Sequence, residues 1–332
     1  MAFENRLKAA EDTPSLSTGP IQPSSQASSG LKSIFVGRNG LRAGWRLLIF
    51  AAGLFVLTLG LMPLFRGLVA LAKHAVAAEW APGVSQLIFE VLAFGAVLLM
   101  SWLMSRIERR SVGEYGLPVS RPAVSLRRLA TGMAIGFLIL FVILLILRVA
   151  HVFYFGSLAL SGAQIVGWGL LWGCITLAIG FFEESLFRGY ALYTLADGIT
   201  FWPAVVIMGL IFSGAHLGNS GESYVGAAGI MFWALLNSAV LRRTGDLWVA
   251  VGIHAGFDWA ESFFFGVSDS GTQGPGNLLN PHIQGPAWLT GGTVGPEASI
   301  VTFIVLALLT TGILVFYRKR QESSPVASTA KN

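Results

Sequence analysis

Eight apolar segments run through this chain, at residues 45–65, 84–105, 129–150, 164–187, 200–217, 224–241, 246–265 and 298–317. A helix needs about 20 such residues to cross about 30 Å of hydrocarbon. In lipid every backbone N–H and C=O must be satisfied within the protein, which leaves helix bundles and closed barrels. Apolar runs this long predict helices, the fifth and sixth being the shortest. The expected fold is all-α: a polytopic membrane protein with about eight transmembrane helices in one bundle. Only 12% of the 332 residues are charged, against about 25% in soluble domains.

The spans divide the chain. Residues 1–40 are rich in Ser, Pro and Gly, lack the apolar core of a cleavable signal peptide, and read as a disordered cytoplasmic tail. Residues 41–162 hold the first transmembrane helices, and residues 163–265 form a core that carries the ionisable motifs. Residues 266–297 read as an extracytoplasmic loop rich in Gly, Pro, Asn and Thr, with little legible chemistry. Residues 298–332 supply the last helix and a basic tail. The one cysteine, Cys174, excludes an intramolecular disulfide and reads as a packing residue in an apolar helix.

The net charge of +5 is explained by topology. Basic residues cluster before span one (Arg6, Lys8, Lys32, Arg38, Arg42, Arg46), after span two (Arg106, Arg109, Arg110, Arg121, Arg127, Arg128), after span six (Arg242, Arg243) and at the C-terminus (Arg318, Lys319, Arg320, Lys331). Eight spans put all four clusters on one side, against Arg66, Lys73 and Arg148 on the other. The positive-inside rule then makes both termini cytoplasmic. The expected location is the cell inner membrane, with lipid as a partner and no nucleic acid.

Within this apolar frame, Glu183, Glu184 and Arg188 end span four, His216 ends span five, and His254 and Asp258 lie in span seven. An ionisable side chain in hydrocarbon costs at least about 2.5–3.5 kcal/mol and marks a functional site by default. Taking Asp197-Gly198 as the turn between spans four and five, helical rise puts Glu183 about 21 Å and His216 about 27 Å from that end. On the same rule His254 and Asp258 rise about 12 and 18 Å along span seven. The group can therefore converge, in a cavity expected to open to the cytosol.

Glu183 and Glu184 point about 100° apart on a helix and cannot share a role. Glu184 and Arg188 have the favourable i,i+4 order for an ion pair, which reads either as a structural clamp or as a direct substrate contact. Glu183 lacks such a partner and suits a general base or acid, or a buried protonated carboxyl. His216 follows Phe212 by one turn and is either catalytic or a satisfied core histidine. In the His254–Asp258 pair the carboxylate can fix a tautomer or accept a proton. His74, His151 and His282 are given no role. The tryptophans read as interface belts, and Gly226, Gly229 and Gly252 as helix contacts. Neither a His-Glu-x-x-His zinc motif nor a phosphate loop is present.

Glu183-Glu184-Ser-Leu-Phe-Arg188 resembles the Glu-Glu-x-x-x-Arg motif of the CPBP family, the CAAX-protease and bacteriocin-processing membrane enzymes also called Abi. Phe212-Ser-Gly-Ala-His216 is similar to its Phe-x-x-x-His motif, and His254-Ala-Gly-Phe-Asp258 to its His-x-x-x-Asn motif with Asp at the last position. The resemblance covers about residues 165–262. It implies an intramembrane endopeptidase, (metallo)protease in older usage, acting on a membrane-associated peptide or protein, lipidated substrates included. It implies that Glu183 and His216 activate water and that His254 and Asp258 serve the oxyanion. The acid at 258 departs from the prenyl-protease pattern and suits orienting or charging His254. Zn2+ bound by Glu183, His216 and His254 and metal-free water are both compatible with these residues. Rival readings are an inactive scaffold or bacteriocin-immunity protein of the same fold, and a proton-coupled transporter.

Overall fold

The computed structural model describes residues 35–37 and 40–322; most of the expected N-terminal tail and the residues from 323 onward lie outside them. The protein is an all-α polytopic membrane protein. Its helices are α1 (Ala43–Ala75), α2 (Ala81–Glu108), α3 (Pro122–Val149), α4 (Ala163–Arg188), α5 (Tyr190–Ile199), α6 (Phe201–His216), α7 (Tyr224–Thr244), α8 (Trp248–Trp259) and α9 (Ile300–Glu322). A π-helical segment, Ala260–Phe265, extends α8. Two short strands, β1 (Phe153–Leu158) and β2 (Leu279–Ile283), pair antiparallel outside the bundle. The eight expected apolar segments correspond to α1, α2, α3, α4 with α5, α6, α7, α8 with its extension, and α9. The helices α1, α2, α3, α4–α5 and α7 are long and apolar enough to cross a membrane; α6 and the Ile300–Phe316 part of α9 are shorter apolar stretches.

Packing grades these helices from rim to centre. Only 6% of the most apolar window of α1 is buried, whereas 67% of that of α7 is. Leu48, Phe55, Val56, Leu59 and Leu71 on α1 are exposed, as suits a lipid-facing helix, which needs no polar face. Cys174 is also exposed on α4, so it does not pack as expected.

Span four is not one straight helix. It breaks at Gly189, where an added Cβ would collide with the Ser185 carbonyl oxygen, and α5 resumes at Tyr190. The turn into α6 lies at Thr200, at φ +70°, and not at Asp197-Gly198. Asp197 instead stays helical and takes a salt bridge from Arg46 at 3.2 Å, with Arg110 at 3.4 Å.

A close backbone approach joins α3 to α8. A Cβ on Gly132 or Gly136 would meet the carbonyls of Val249 and Ile253, and one on Gly252 or Gly256 those of Leu129 and Met133. Two Gly-x-x-x-Gly faces thus interlock, the small-residue packing typical of membrane helices. This contact sets the position of His254, which lies between Gly252 and Gly256.

The connections sort into two sets. In one, the Leu247 N–H donates to Gly116 O at 2.8 Å, Trp248 Nε1 to Pro118 O at 3.1 Å, and Arg128 pairs with Asp246. In the other, β1 pairs with β2, the indoles of Trp80 and Trp168 stack at 4.3 Å, and Asn219 Nδ2 donates to Ser270 O at 3.0 Å. The first set contains the basic clusters at 106–128 and 242–243. The second contains loops 76–80, 150–162, 217–223 and 266–299.

Candidate active site

Glu184 is the fixed point of the site. It is fully buried near the end of α4. Its Oε1 accepts from Arg188 Nη1 at 2.8 Å, Asn237 Nδ2 at 2.9 Å and His254 Nδ1 at 2.9 Å, tying together α4, α7 and α8. The Arg188 guanidinium lies 4.6 Å over the Phe212 ring, a cation–π contact that adds α6 to the cluster. Of the two roles the sequence leaves open for Glu184 and Arg188, this geometry fits the clamp.

Glu183 turns the other way, as the 100° step requires, and stays partly exposed to a cavity of about 200 Å³. Its Oε2 lies 3.5 Å from His254 Nε2 and 4.0 Å from His216 Nε2. His216 Nδ1 donates to Phe212 O at 2.9 Å, a one-turn contact, and its ring sits edge-on to Phe212 at 4.7 Å. With Nδ1 carrying the proton, a neutral His216 presents an Nε2 lone pair to the cavity. Asp258 Oδ2 lies 3.5 Å from His254 Nε2. All four residues expected to be catalytic therefore line one cavity, with Glu184 and Phe212 beside them.

The donor set is also compatible with a metal. Two imidazole Nε2 atoms and one carboxylate oxygen face the same space, and each imidazole is oriented through Nδ1 by an oxygen acceptor, as zinc ligands commonly are. The Oε2 of Glu183 is buried without a hydrogen-bond partner among the described residues. That oxygen would suit a cation or a water.

Sequence reasoning missed several residues here. Asn237 donates to Glu184, yet a single amide in an apolar helix passed unmarked. Gln86 and Glu90 of α2 line the cavity opposite α4. Glu90 is a carboxylate inside span two, so the rule that singled out Glu183 also applied to it. The loop at 266–297 is not chemically silent: Asp269, Ser270 and Thr272 reach the cavity wall, and Glu297 joins them from the turn before α9. Ser270 N and Oγ donate to Glu297 Oε2 at 2.8 and 2.6 Å.

Three carboxyls outside the helices are lifted above their ordinary range. Asp269 is raised by desolvation and then by the nearby Glu297 charge. Desolvation raises Glu222 against the Ser223 N–H that it accepts, and raises Asp246 against its ion pair with Arg128.

Loops as well as helices wall the cavity. Its loop-borne lining, Asn219, Asp269, Ser270, Thr272 and Glu297, comes from the connections opposite the basic loops. No residue of loops 109–121 or 245–247 lines it. The depths expected for Glu183 and His216 assumed straight spans and a turn at Asp197-Gly198. The break at Gly189 and the inward reach of loop 266–297 change that geometry.

No curated protein and no solved structure matches the chain. One family model does, that of the type II CAAX prenyl endopeptidase Rce1-like proteins, over residues 165–260. Those residues run from the start of α4 to the end of α8 and include Glu183, Glu184, Arg188, His216, His254 and Asp258. This match over residues 165–260 is consistent with the resemblance of the motifs to the CPBP intramembrane proteases.

Proposed function

We propose that the protein is an intramembrane endopeptidase that hydrolyses peptide bonds with water activated by Glu183 and His216. The observation that carries this reading is the separation of 4.0 Å between Glu183 Oε2 and His216 Nε2. One water donating to two acceptors at about 2.8 Å each spans about 4.4 Å between them, close to that value. Glu183 takes the water proton as the oxygen attacks the scissile carbonyl carbon. His254, held through Nδ1 by Glu184, offers Nε2–H to the developing oxyanion. Asp258 faces the same nitrogen and balances its charge. The proton held by Glu183 then passes to the leaving amine as the C–N bond breaks, giving a carboxylic acid and a free amine.

If Zn2+ binds, Glu183, His216 and His254 are the residues that would hold it, and it would polarise the carbonyl and acidify the bound water.

Substrate chemistry is suggested by a second feature. A groove of about 670 Å³ runs beside the site, lined almost wholly by apolar residues of α1, α2, α4, α5 and α6, among them Phe55, Phe89, Phe182 and Phe187. Phe187 packs on Phe212 at 4.7 Å, so groove and cavity share a wall. A membrane-associated peptide, with an apolar or lipidated segment in the groove, fits this pairing. We further propose that the protein lies in the inner membrane with both termini cytoplasmic and the polar mouth of the cavity extracytoplasmic.

The test is cleavage of a quenched-fluorescent peptide library, prenylated members included, by protein in liposomes. Wild type should cleave, and Glu183→Gln and His216→Ala should not while remaining folded. Equal cleavage by wild type and Glu183→Gln would sink the reading.

A further inference from the structure

Asp258, Glu261 and Asp269 each bring a carboxylate oxygen within 4.8 Å of the other two. Two come from the end of α8 and its π-helical extension, the third from the loop that follows. A cluster of acids alone indicates little, but Glu261 is different. It is fully buried, and among the described residues neither of its oxygens has a hydrogen-bond partner. Its charged neighbours are Asp258, Asp269 and Glu297, all acidic. A buried carboxylate without a donor costs several kcal/mol unless something compensates it.

We propose that these three residues form a binding site for a hard divalent cation, of the Ca2+ class. The set is all oxygen, which selects Ca2+ or Mg2+ over Zn2+. At about 2.3–2.6 Å per bond, opposite Ca2+ ligands lie about 4.6–5.2 Å apart, so ligand atoms within 4.8 Å of one another enclose such an ion. Part of the support is already in place: Ser262 Oγ donates to Asp269 Oδ2 at 3.2 Å, and Asn277 Nδ2 to Ser262 O at 2.5 Å. The ion would pin loop 266–297 to the end of α8 and fix Asp258 beside His254.

This site does not depend on the peptidase reading. The test uses full-length protein in detergent, stripped with chelator and then titrated with CaCl2 or MgCl2, reading bound ion by equilibrium dialysis and Tm by intrinsic fluorescence. One Ca2+ per chain and a rise in Tm of several degrees are expected. Binding should weaken at least tenfold in Glu261→Gln and Asp269→Asn and stay unchanged in Glu79→Gln, an exposed acid. Stripped Glu261→Gln should melt above stripped wild type, because a buried charge has been removed; a merely structural glutamate would give the reverse. Should Glu261→Gln fail to fold, the half-buried Asp269→Asn carries the comparison. Absence of both Ca2+ and Mg2+ from wild type, or equal binding by wild type and Asp269→Asn, overturns the proposal.

Discussion

His254 Nδ1 lies 2.9 Å from Glu184 Oε1, and this contact decides which nitrogen of the imidazole faces the cavity. Glu184 accepts from Arg188 as well, so it serves as an acceptor and His254 donates. The Nε2 atom is left for chemistry, 3.5 Å from both Glu183 and Asp258. The two adjacent glutamates thus divide the work: one points into the cavity, the other holds the histidine that the first one faces.

Removing the clamp should unfold before it inactivates. Arg188→Met removes the guanidinium from buried Glu184 and leaves it only the Asn237 and His254 donors. Breaking such a buried pair costs about 3–5 kcal/mol. A thermal melt in detergent should show a fall in Tm larger than that of any cavity-facing variant. A melt like that of wild type would show that Asn237 and His254 suffice to hold Glu184.

The cavity-facing residues should behave in the opposite way. Glu183→Gln and His216→Ala remove groups that are partly exposed, so Tm should stay within a few degrees of wild type. Proteolysis should fall by at least about 10²-fold, the usual share of general acid–base catalysis. Asp258→Asn, which restores the family's residue, should retain cleavage. Asp258→Leu should lose most of it through misorientation of His254.

The interlocked glycines predict a packing defect that acts at a distance from the chemistry. Gly256→Leu forces a side chain into the Met133 backbone. The cost should be about 1–3 kcal/mol or more, as for overpacked cores. His254 should lose register with Glu183, so activity should fall along with stability. Gly312→Leu, with open space around its Cβ position, should change neither melt nor turnover.

Zinc is decided by a selective chelator. On the metal-free reading, 1,10-phenanthroline leaves cleavage unchanged. Loss of cleavage, restored by added Zn2+ and not by Ca2+, would assign the ion to Glu183, His216 and His254.

The spans were legible because hydrocarbon imposes one rule, a long apolar run, on every crossing helix. The polar residues within those runs were legible for the same reason, since each carries a cost that only function or pairing offsets. Glu183, His216 and His254 stand out in this way. Asn237 does not, because one amide costs far less than a charge. The break at Gly189 was hidden because a glycine in an apolar helix usually signals packing, whereas here it avoids the Ser185 carbonyl. The contribution of Asp269 and Glu297 was invisible because loop residues come together through tertiary folding, and no periodicity announces it. The loop-borne part of the cavity wall was missed with them.

The placement of that loop lining yields the prediction that matters most for substrate identity. The basic loops group on one side, and the loops that reach into the cavity group on the other. If basic loops are cytoplasmic, the site draws its substrate from outside. In a Cys174→Ser background, Ser120→Cys and Thr293→Cys mark exposed positions on the two sides. A membrane-impermeant maleimide on intact cells should label Thr293→Cys at once and Ser120→Cys only after permeabilisation. The reverse pattern would turn the cavity mouth to the cytosol and make the substrates cytosolic. The expected pattern restricts them to exported or membrane-anchored proteins whose cleaved segment lies at the outer face.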